Sequence, residues 1–292
     1  MNPVETIGKI LGIGVCLLFI VFPSIPEIYQ WIIFAIILFL IGIPHGGIDH
    51  LIHNPTIKKS ELLNFVIKYL FLILIYSIIW WFLPKIALLA FIVMSSYHFG
   101  QSHFIQRILP KKFTSLSISL RGLFFLFVIL LGSWKNTKTI LSPIVNLELD
   151  TSFRLGILFF LALVSIGFQL GQGVKMTSED LLEYFILAPI LYFSPLFISF
   201  IVYFGFWHAL PSMLEEYRVL RTFPAYNSVK KFVVQLLPFS LISLFGIGLI
   251  LFFALSYLDQ NEVFMLFFAL VSLISFPHIL YMDAFLKKNY QY

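Results

Sequence analysis

The stretch GIPHGGIDH, residues 42–50, governs both the architecture and the chemistry expected of this chain. It ends an apolar run that begins near Trp31, and it carries two imidazoles, a carboxylate and two adjacent glycines into that run. Ionisable groups inside a membrane span are costly, so they mark a functional site by default. The stretch therefore predicts a membrane helix with a site inside it.

The composition around this stretch indicates a polytopic membrane protein. Of the 292 residues, 60% are hydrophobic and 11% are charged, whereas a soluble domain usually carries about 25% charged residues. The apolar residues fall in blocks of roughly 20, the length that crosses a bilayer as a helix. Because the backbone must satisfy its own hydrogen bonds in lipid, helices are favoured over open sheets. We expect an all-α transmembrane bundle forming one integral-membrane domain over residues 1–292.

The hydropathy pattern predicts about ten spans. The seventh is short and contains Pro189, with Pro195 just after it, so it is either a half-helix or one part of a broken pair with the eighth. The predicted spans are 7–23, 31–50, 62–82, 86–105, 114–134, 154–172, 180–193, 196–215, 231–256 and 264–284.

The basic residues predict the orientation of these spans. With a cytoplasmic N-terminus, thirteen loop lysines and arginines fall on the cytoplasmic side and four on the other, which is the positive-inside pattern. Lys68 and Arg121 lie close enough to cytoplasmic span ends to snorkel there. An even number of spans then places both termini in the cytoplasm. Because the basic residues lie in short loops, the pI near 9.2 does not indicate a nucleic-acid partner. The thirteen are Lys9, Lys58, Lys59, Arg107, Lys111, Lys112, Lys175, Arg218, Arg221, Lys230, Lys231, Lys287 and Lys288.

Four histidines share one half of the membrane in this topology. The second, fourth, eighth and tenth spans all run from outside to inside, and they carry His45, His98, His208 and His278 in their inner halves. Four imidazoles at roughly one depth are what a metal site in a helix bundle requires. A single histidine of this kind is equally well explained by a hydrogen bond to a carbonyl or a lipid headgroup, but four together favour a shared site.

A second stretch, SSYHFGQSH at residues 95–103, repeats the pattern of two histidines five positions apart. Positions five apart on a helix point about 140° away from each other. The simpler interpretation is one ligand per pair, His45 and His98, with His50 and His103 at the membrane surface or behind the ligands. Asp49 shares a helix face with His45 and is placed to orient a ligand imidazole.

The residue types leave several metals open. Imidazole ligands suit zinc, copper, iron or nickel, and Asp49 keeps open an iron site of two histidines and one carboxylate. A structural zinc would more often use cysteine, and Cys16 is the only cysteine. A site with open coordination positions in an apolar bundle therefore favours oxygen chemistry over a structural zinc. Aromatic residues near the histidines predict a pocket for a long conjugated lipid, although core packing would look similar. They are Tyr97, Phe99, Phe104, Phe204, Phe206, Trp207, Phe276 and Tyr281.

The segments Pro44-His45-Gly46 with Asp49-His50, Tyr97-His98-Phe99-Gly100 and Phe206-Trp207-His208 resemble the Brp/Blh family of membrane β-carotene 15,15′-dioxygenases. Pro277-His278 is similar to that family's C-terminal segment, and the resemblance runs from about residue 42 to 283. It implies a multi-pass enzyme of the inner (plasma) membrane that cleaves the central double bond of β-carotene with O2. The two retinal products would serve a rhodopsin, and Fe(2+) would be held by histidines.

The resemblance also implies site residues. His45, His98 and His208 match histidines that the family is thought to need. In some members another histidine follows the Trp-His pair by one turn, where this chain has Ser212. We expect His278 to be the fourth ligand, the alternatives being a three-histidine site or an altered activity. The residues expected behind the ligands or in the substrate pocket are Asp49, His50, Tyr97, His103, Trp207 and Ser212.

Two other classes of membrane protein also use histidines, and the sequence favours neither. A diiron desaturase or carotenoid hydroxylase needs more histidines, at His-x3-His or His-x2-His-His spacing, and the sequence has neither spacing. A transporter that relays protons through histidines needs further carboxylates within the spans, where Asp49 looks nearly alone. Glu215 and Glu216 follow His208 by two turns and are interpreted as solvated or paired with Arg218.

Overall fold

The chain folds as a bundle of helices whose positions follow the predicted spans. The structure, a computed structural model, describes residues 2–105, 107, 109, 110 and 115–289, which contain helices and loops but no β-strand. The predicted all-α fold class is therefore confirmed. The helices in chain order are α1 Pro3–Val21, α2 Glu27–His53, α3 Lys59–Phe82, α4 Pro84–Ser102, α5 Ser115–Gly132, α6 Trp134–Leu141, α7 Thr151–Gly171, α8 over 178–193, α9 Leu196–Leu220, α10 Val229–Ala254 and α11 Gln260–Asn289.

Within the described ranges, eight of these helices are long and apolar enough to cross a membrane. Each of the ten predicted spans corresponds to a helix, but α4 and α8 are not among the eight. The count of ten and the cytoplasmic placement of both termini therefore stay predictions, as does the single domain. Lys111 and Lys112, which contribute to the predicted cytoplasmic charge, lie outside the described residues, and so does residue 114, where the fifth predicted span starts.

Local sequence signals explain several helix ends. The Asn2 side chain accepts a hydrogen bond from the backbone N–H of Val4 at 3.0 Å and caps α1, and Asp150 caps α7 through the N–H of Phe153 at 2.8 Å. Both side chains satisfy amide groups that have no partner inside the helix. Between α8 and α9 the backbone is extended at Ser194, with φ −78° and ψ 153°. The seventh and eighth predicted spans are thus a broken pair.

Burial separates central helices from peripheral ones. In the most apolar 18-residue window of α9, 72% of the residues are buried, against 11% in α3 and 11% in α10. Helix α9 is therefore the central helix, while α3 and α10 present most of their surface to the surroundings. The two exposed helices, α3 and α10, form the outer wall of a cavity.

Helices α4 and α5 touch through their backbones. A Cβ atom added at Gly100 would lie 1.9 Å from the carbonyl oxygen of Ile118, and one added at Gly122 would lie 1.8 Å from that of Ser96. Small residues at such crossings let membrane helices approach closely. The contact fixes the end of α4 that carries His98.

Irregular turns interrupt the helices near the predicted site. The turn Leu38–Gly42 of α2 and the turn Tyr203–Ala209 of α9 are π-helical. The first ends just before His45, and the second contains His208. Helix α2 is also interrupted at Ile48, with φ −118° and ψ 17°, and resumes at Asp49. Because π-helical turns occur frequently at functional sites, these irregularities point to the same part of the bundle as the histidines.

Candidate metal centre

Four imidazole rings converge inside the bundle, and we call them the histidine centre: His45, His98, His208 and His278. Ring centroids are 4.4 Å apart for His98 and His208, and 4.5 Å apart for His45 and His278. The other measured separations are 5.0, 5.2 and 6.2 Å. All four side chains are buried. The structure therefore brings together all four histidines that the sequence selected as ligands.

Two of these imidazoles are backed by carboxylates. The Nδ1 atom of His278 lies 2.8 Å from Oδ1 of Asp49, whose other oxygen accepts a hydrogen bond from the Tyr69 hydroxyl at 3.0 Å. The Nδ1 atom of His45 lies 3.1 Å from Oε1 of Glu216, within ion-pair distance but not aligned for a hydrogen bond. Asp49 thus orients an imidazole as predicted, but the imidazole belongs to His278 on another helix.

Neutral groups hold the other two imidazoles. The Nδ1 atom of His208 lies 2.7 Å from the Ser102 hydroxyl, and the Nδ1 atom of His98 lies 3.3 Å from the side-chain oxygen of Gln101. In all four histidines the polar neighbour is therefore at Nδ1. This leaves Nε2 as the nitrogen available to a common ligand.

Three of the four histidines lie close enough together to share a metal ion, and His278 contacts one of them. The Nε2 atoms of His45 and His278 face each other at 3.0 Å, and the buried Nε2 of His98 has no hydrogen-bond partner among the described residues. His45, His98 and His208 each offer a ring nitrogen within 4.8 Å of the others. Converging imidazoles whose other nitrogens are held by polar groups are typical of transition-metal sites.

An apolar cavity of about 310 Å³ reaches the histidine centre. All four histidines line it, and its wall is largely aliphatic and aromatic. The outer wall comes from α3 and α10, where Leu70 and Ile242 line the cavity but are 57% and 67% exposed on the outside of the bundle. The cavity therefore extends from the histidines to the apolar surface. Aromatic residues in its wall are Phe65, Tyr69, Phe91, Phe99, Phe200, Phe204 and Phe239.

The predicted aromatic pocket is only partly the observed one. Phe99 and Phe204 line the cavity as expected, with ring centroids 4.8 and 5.6 Å from that of His208. Tyr97 instead donates a hydrogen bond to Asp283 at 2.7 Å, and the Trp207 ring lies near Lys9. Neither is among the residues that line the cavity, because α4 and α9 turn these side chains away from it.

The second histidine of each pair lies apart from the centre. His50 lines the same cavity, with its ring 4.8 Å from that of Phe239. His103 is buried, with Nδ1 2.7 Å from Glu183 and Nε2 2.8 Å from the Tyr203 hydroxyl. One histidine per pair in the centre agrees with the sequence interpretation, and both His50 and His103 are buried. Ser212 is buried one turn after His208.

His103 belongs to a second buried polar cluster, which we call the Arg121 network: His103, Arg107, Arg121, Asp180 and Glu183. Arg121 is fully buried, and its two terminal nitrogens lie 2.5 Å from Asp180 and 2.5 Å from Glu183. Arg107 adds a contact to Asp180 at 2.8 Å. The prediction that Arg121 snorkels to the membrane surface is therefore wrong, since two buried carboxylates hold it inside the bundle.

Two further sequence interpretations are corrected. Glu216 is fully buried beside His45, so its assignment as solvated or paired with Arg218 is wrong; Glu215 is the residue that contacts Arg218, at 3.5 Å. Asp49 is not nearly alone as a buried carboxylate, because Asp180, Glu183 and Glu216 are buried as well. A scarcity of carboxylates thus no longer argues against a proton-relaying transporter.

The partners of the imidazoles were missed in the sequence for identifiable reasons. Glu216 lies eight residues after His208, but it contacts His45 on another helix. Ser102 follows His98 by one turn and contacts His208 instead. Spacing within one helix therefore suggested the wrong pairings. The one signal available in the sequence was the carboxylate of Glu216, two turns after the predicted ligand His208 and still within an apolar stretch.

Comparisons with known proteins indicate the family of the chain. A family profile described as Beta-carotene 15,15'-dioxygenase matches residues 36–286, a range that includes all four histidines. The chain is 24% identical over 268 residues to a protein named Beta-carotene 15,15'-dioxygenase from the uncultured marine bacterium 66A03, covering 89% of this chain and 95% of that relative. No solved structure matches the chain.

Proposed function

The chain belongs to the β-carotene 15,15′-dioxygenase family, and on this basis we propose that it cleaves the central 15,15′ double bond of β-carotene with O2. One oxygen atom is added to each carbon of the broken double bond, so the products are two molecules of retinal. The observation that carries the proposal is the histidine centre: four buried imidazoles converge on the wall of an apolar cavity.

In this proposal His45, His98, His208 and His278 hold Fe(2+) through their Nε2 atoms. The ion, when bound, supplies the activation of O2 that an unassisted polyene lacks. Imidazole ligands suit iron among the transition metals. The four Nδ1 contacts keep each ring in place, and His278 supplies the ligand that Ser212 cannot. Catalysis is then assigned to the same four histidines.

The cavity wall orients the substrate. Phe99 and Phe204 lie next to His208, and Phe200 stacks on Phe204 with centroids 5.7 Å apart. Flat rings of this kind pack along a rigid polyene and limit how far it slides. Holding one double bond beside the reacting centre converts an encounter into an oriented reaction. The apolar lining also keeps water from the cleavage step.

The substrate reaches the cavity from the lipid bilayer. β-Carotene dissolves in the hydrocarbon core, and the cavity wall meets that core where Leu70 and Ile242 are exposed. No soluble carrier is then needed. We propose the inner (plasma) membrane as the location and a rhodopsin as the recipient of retinal; no nucleic-acid partner is expected.

The test is expression in a bacterial strain that accumulates β-carotene, followed by extraction of retinal. His98→Ala, checked for membrane insertion, runs beside the wild type. We expect the carotene colour to fade and retinal to form only with the wild type, with about one iron bound per chain. If carotene persists in both while iron is bound, β-carotene is the wrong substrate and other polyenes are tried.

Metal content separates this function from its rivals. Close to two irons per chain would support a diiron oxygenase or desaturase. Persistent carotene with no bound metal would reject the enzyme, and the buried carboxylates Asp180, Glu183 and Glu216 would then make proton-coupled transport the function to test.

A further inference from the structure

Four polar groups form a continuous chain through one side of the histidine centre. Oε1 of Glu216 lies 3.1 Å from Nδ1 of His45, and Nε2 of His45 lies 3.0 Å from Nε2 of His278. Nδ1 of His278 then lies 2.8 Å from Oδ1 of Asp49. The order is carboxylate, imidazole, imidazole, carboxylate, with the metal-facing nitrogens in the middle.

Neither carboxylate of these four groups is paired with a lysine or arginine among the described residues. Among the described residues, no lysine or arginine lies within ion-pair distance of Asp49 or Glu216. Both oxygens of the fully buried Glu216 also lack a hydrogen-bond partner within the described part of the chain. Leaving a buried charge uncompensated is strongly destabilising. The two carboxyl groups are therefore compensated either by protons within this group of four residues or by a cation between the two imidazoles.

We propose that Asp49 and Glu216 are a pair of positioning carboxylates that balance the charge of the bound divalent ion, one through His278 and the other through His45. Neutral imidazoles do not cancel the charge of a divalent ion, and in an apolar bundle that charge is costly. Two carboxylates, each separated from the ion by one imidazole, bring the net charge of the site to zero. This inference rests on the metal site of the proposed function and names residues outside its ligand set.

The centre is then asymmetric. His98 and His208 are backed by the neutral side chains of Gln101 and Ser102, whereas His45 and His278 are backed by anions. A carboxylate behind a metal-bound histidine makes that imidazole a stronger ligand and fixes its orientation. Metal affinity should therefore depend more on Glu216 and Asp49 than on Gln101 or Ser102.

The experiment measures metal binding without substrate. The full chain is purified in detergent, stripped of metal, and titrated anaerobically with Fe2+ or Co2+ against a chromophoric chelator. Glu216→Gln and Asp49→Asn each remove one charge with little change in shape. We expect each to weaken binding by about 10–100-fold and the double variant to weaken it further. Glu215→Gln, the same change at the adjacent position that contacts Arg218, is the matched control and should bind as the wild type does.

A second readout separates charge balance from a merely structural role. The thermal unfolding temperature of the metal-free protein should be unchanged or higher in Glu216→Gln, because an uncompensated buried charge is removed. The rise in that temperature on adding Co2+ should shrink. A metal-free Glu216→Gln protein that unfolds much earlier or does not fold would overturn the proposal, and so would wild-type affinity in both single variants.

The outcomes also distinguish this inference from the proposed function. If the two variants lose metal affinity but the wild type makes no retinal, the carboxylate pair stands and the assigned reaction fails. If retinal forms with the wild type and metal affinity is unaltered in the variants, the reaction stands and the carboxylate pair fails.

Discussion

The histidine centre and the Arg121 network bury polar groups in the same bundle in opposite ways. In the network Arg121 lies between Asp180 and Glu183, and Arg107 joins Asp180, so cations and carboxylates compensate each other. In the centre the carboxylates of Asp49 and Glu216 have only histidines within ion-pair distance among the described residues. One cluster contains its own cations, while in our proposal the other receives a metal cation.

The difference indicates how burial should be interpreted in a membrane bundle. Ionisable residues at depth suggest function by default, yet both clusters satisfy that criterion. What separates them is the partner of each carboxylate: Asp180 and Glu183 contact arginines, whereas Asp49 and Glu216 have only histidines within ion-pair distance among the described residues. The following variants test whether this contrast between a binding cluster and a stabilising cluster holds.

The largest effect, a difference in bound iron, is expected when one histidine of each cluster is replaced by alanine in turn. His278→Ala should reduce bound iron to a small fraction of the wild-type value and abolish retinal formation, because the centre loses a ligand. His103→Ala should keep bound iron near the wild-type value per folded chain, because Arg121 still holds Glu183. Elemental analysis of purified protein measures both. Equal loss of iron in the two variants would remove the contrast.

The next effect is on stability. Arg121→Met removes the one cation that contacts both Asp180 and Glu183 among the described residues, and breaking a buried pair costs about 3–5 kcal/mol. We expect a lower yield of folded protein and earlier thermal unfolding, with iron per folded chain unchanged. A triple variant that also carries Asp180→Asn and Glu183→Gln should recover much of the loss. Iron loss without loss of stability would contradict the assignment.

A smaller effect tests the scaffold that the two clusters share. Gly100→Ala places a methyl group against the Ile118 carbonyl, and such overpacking costs about 1–3 kcal/mol. Because His98 lies half a turn away, the rate of retinal formation should fall as well. Gly167→Ala is the control, since nothing lies within 4 Å of its added Cβ. If both glycine variants behave alike, the close approach of α4 and α5 does not position the site.

The smallest effect concerns a neutral partner. Ser102→Ala removes the hydroxyl that lies 2.7 Å from Nδ1 of His208, and a neutral hydrogen bond contributes about 0.5–1.5 kcal/mol. We expect metal affinity to fall by a factor of about 2–10, less than with Glu216→Gln. The chelator titration described above gives both values on one scale. A larger effect in Ser102→Ala than in Glu216→Gln would reverse the proposed asymmetry.

The sequence was sufficient for the helical class and for the convergence of the histidines. Loop charges predicted a direction for each span, and that predicted direction placed His45, His98, His208 and His278 at one depth. These are properties of single helices and their ends, so they can be predicted without knowing which helices pack together.

The parts that could not be predicted depend on contacts between helices. Arg121 looked able to reach the surface because its carboxylate partners lie on α8. Glu216 looked solvated because its neighbour His45 lies on α2. Hydropathy also gives no warning of an interrupted helix, so the sequence interpretation placed Asp49 on the face of His45, from which the break at Ile48 separates it.

The π-helical turn Tyr203–Ala209 has a further consequence for how this chain aligns with its relatives. A π-helical turn closes over i to i+5 instead of i to i+4, so it accommodates one extra residue, and deleting that residue would restore an α-helix with little change in the orientation of the residues after it. In helix α9, residues before and after the turn that face the same direction are therefore one residue further apart in sequence than in a regular α-helix. A relative that lacks one residue at this turn would present the same helix face with its residue numbers shifted by one, so Ser212 and Glu216 should be aligned by structure instead of by counting from His208.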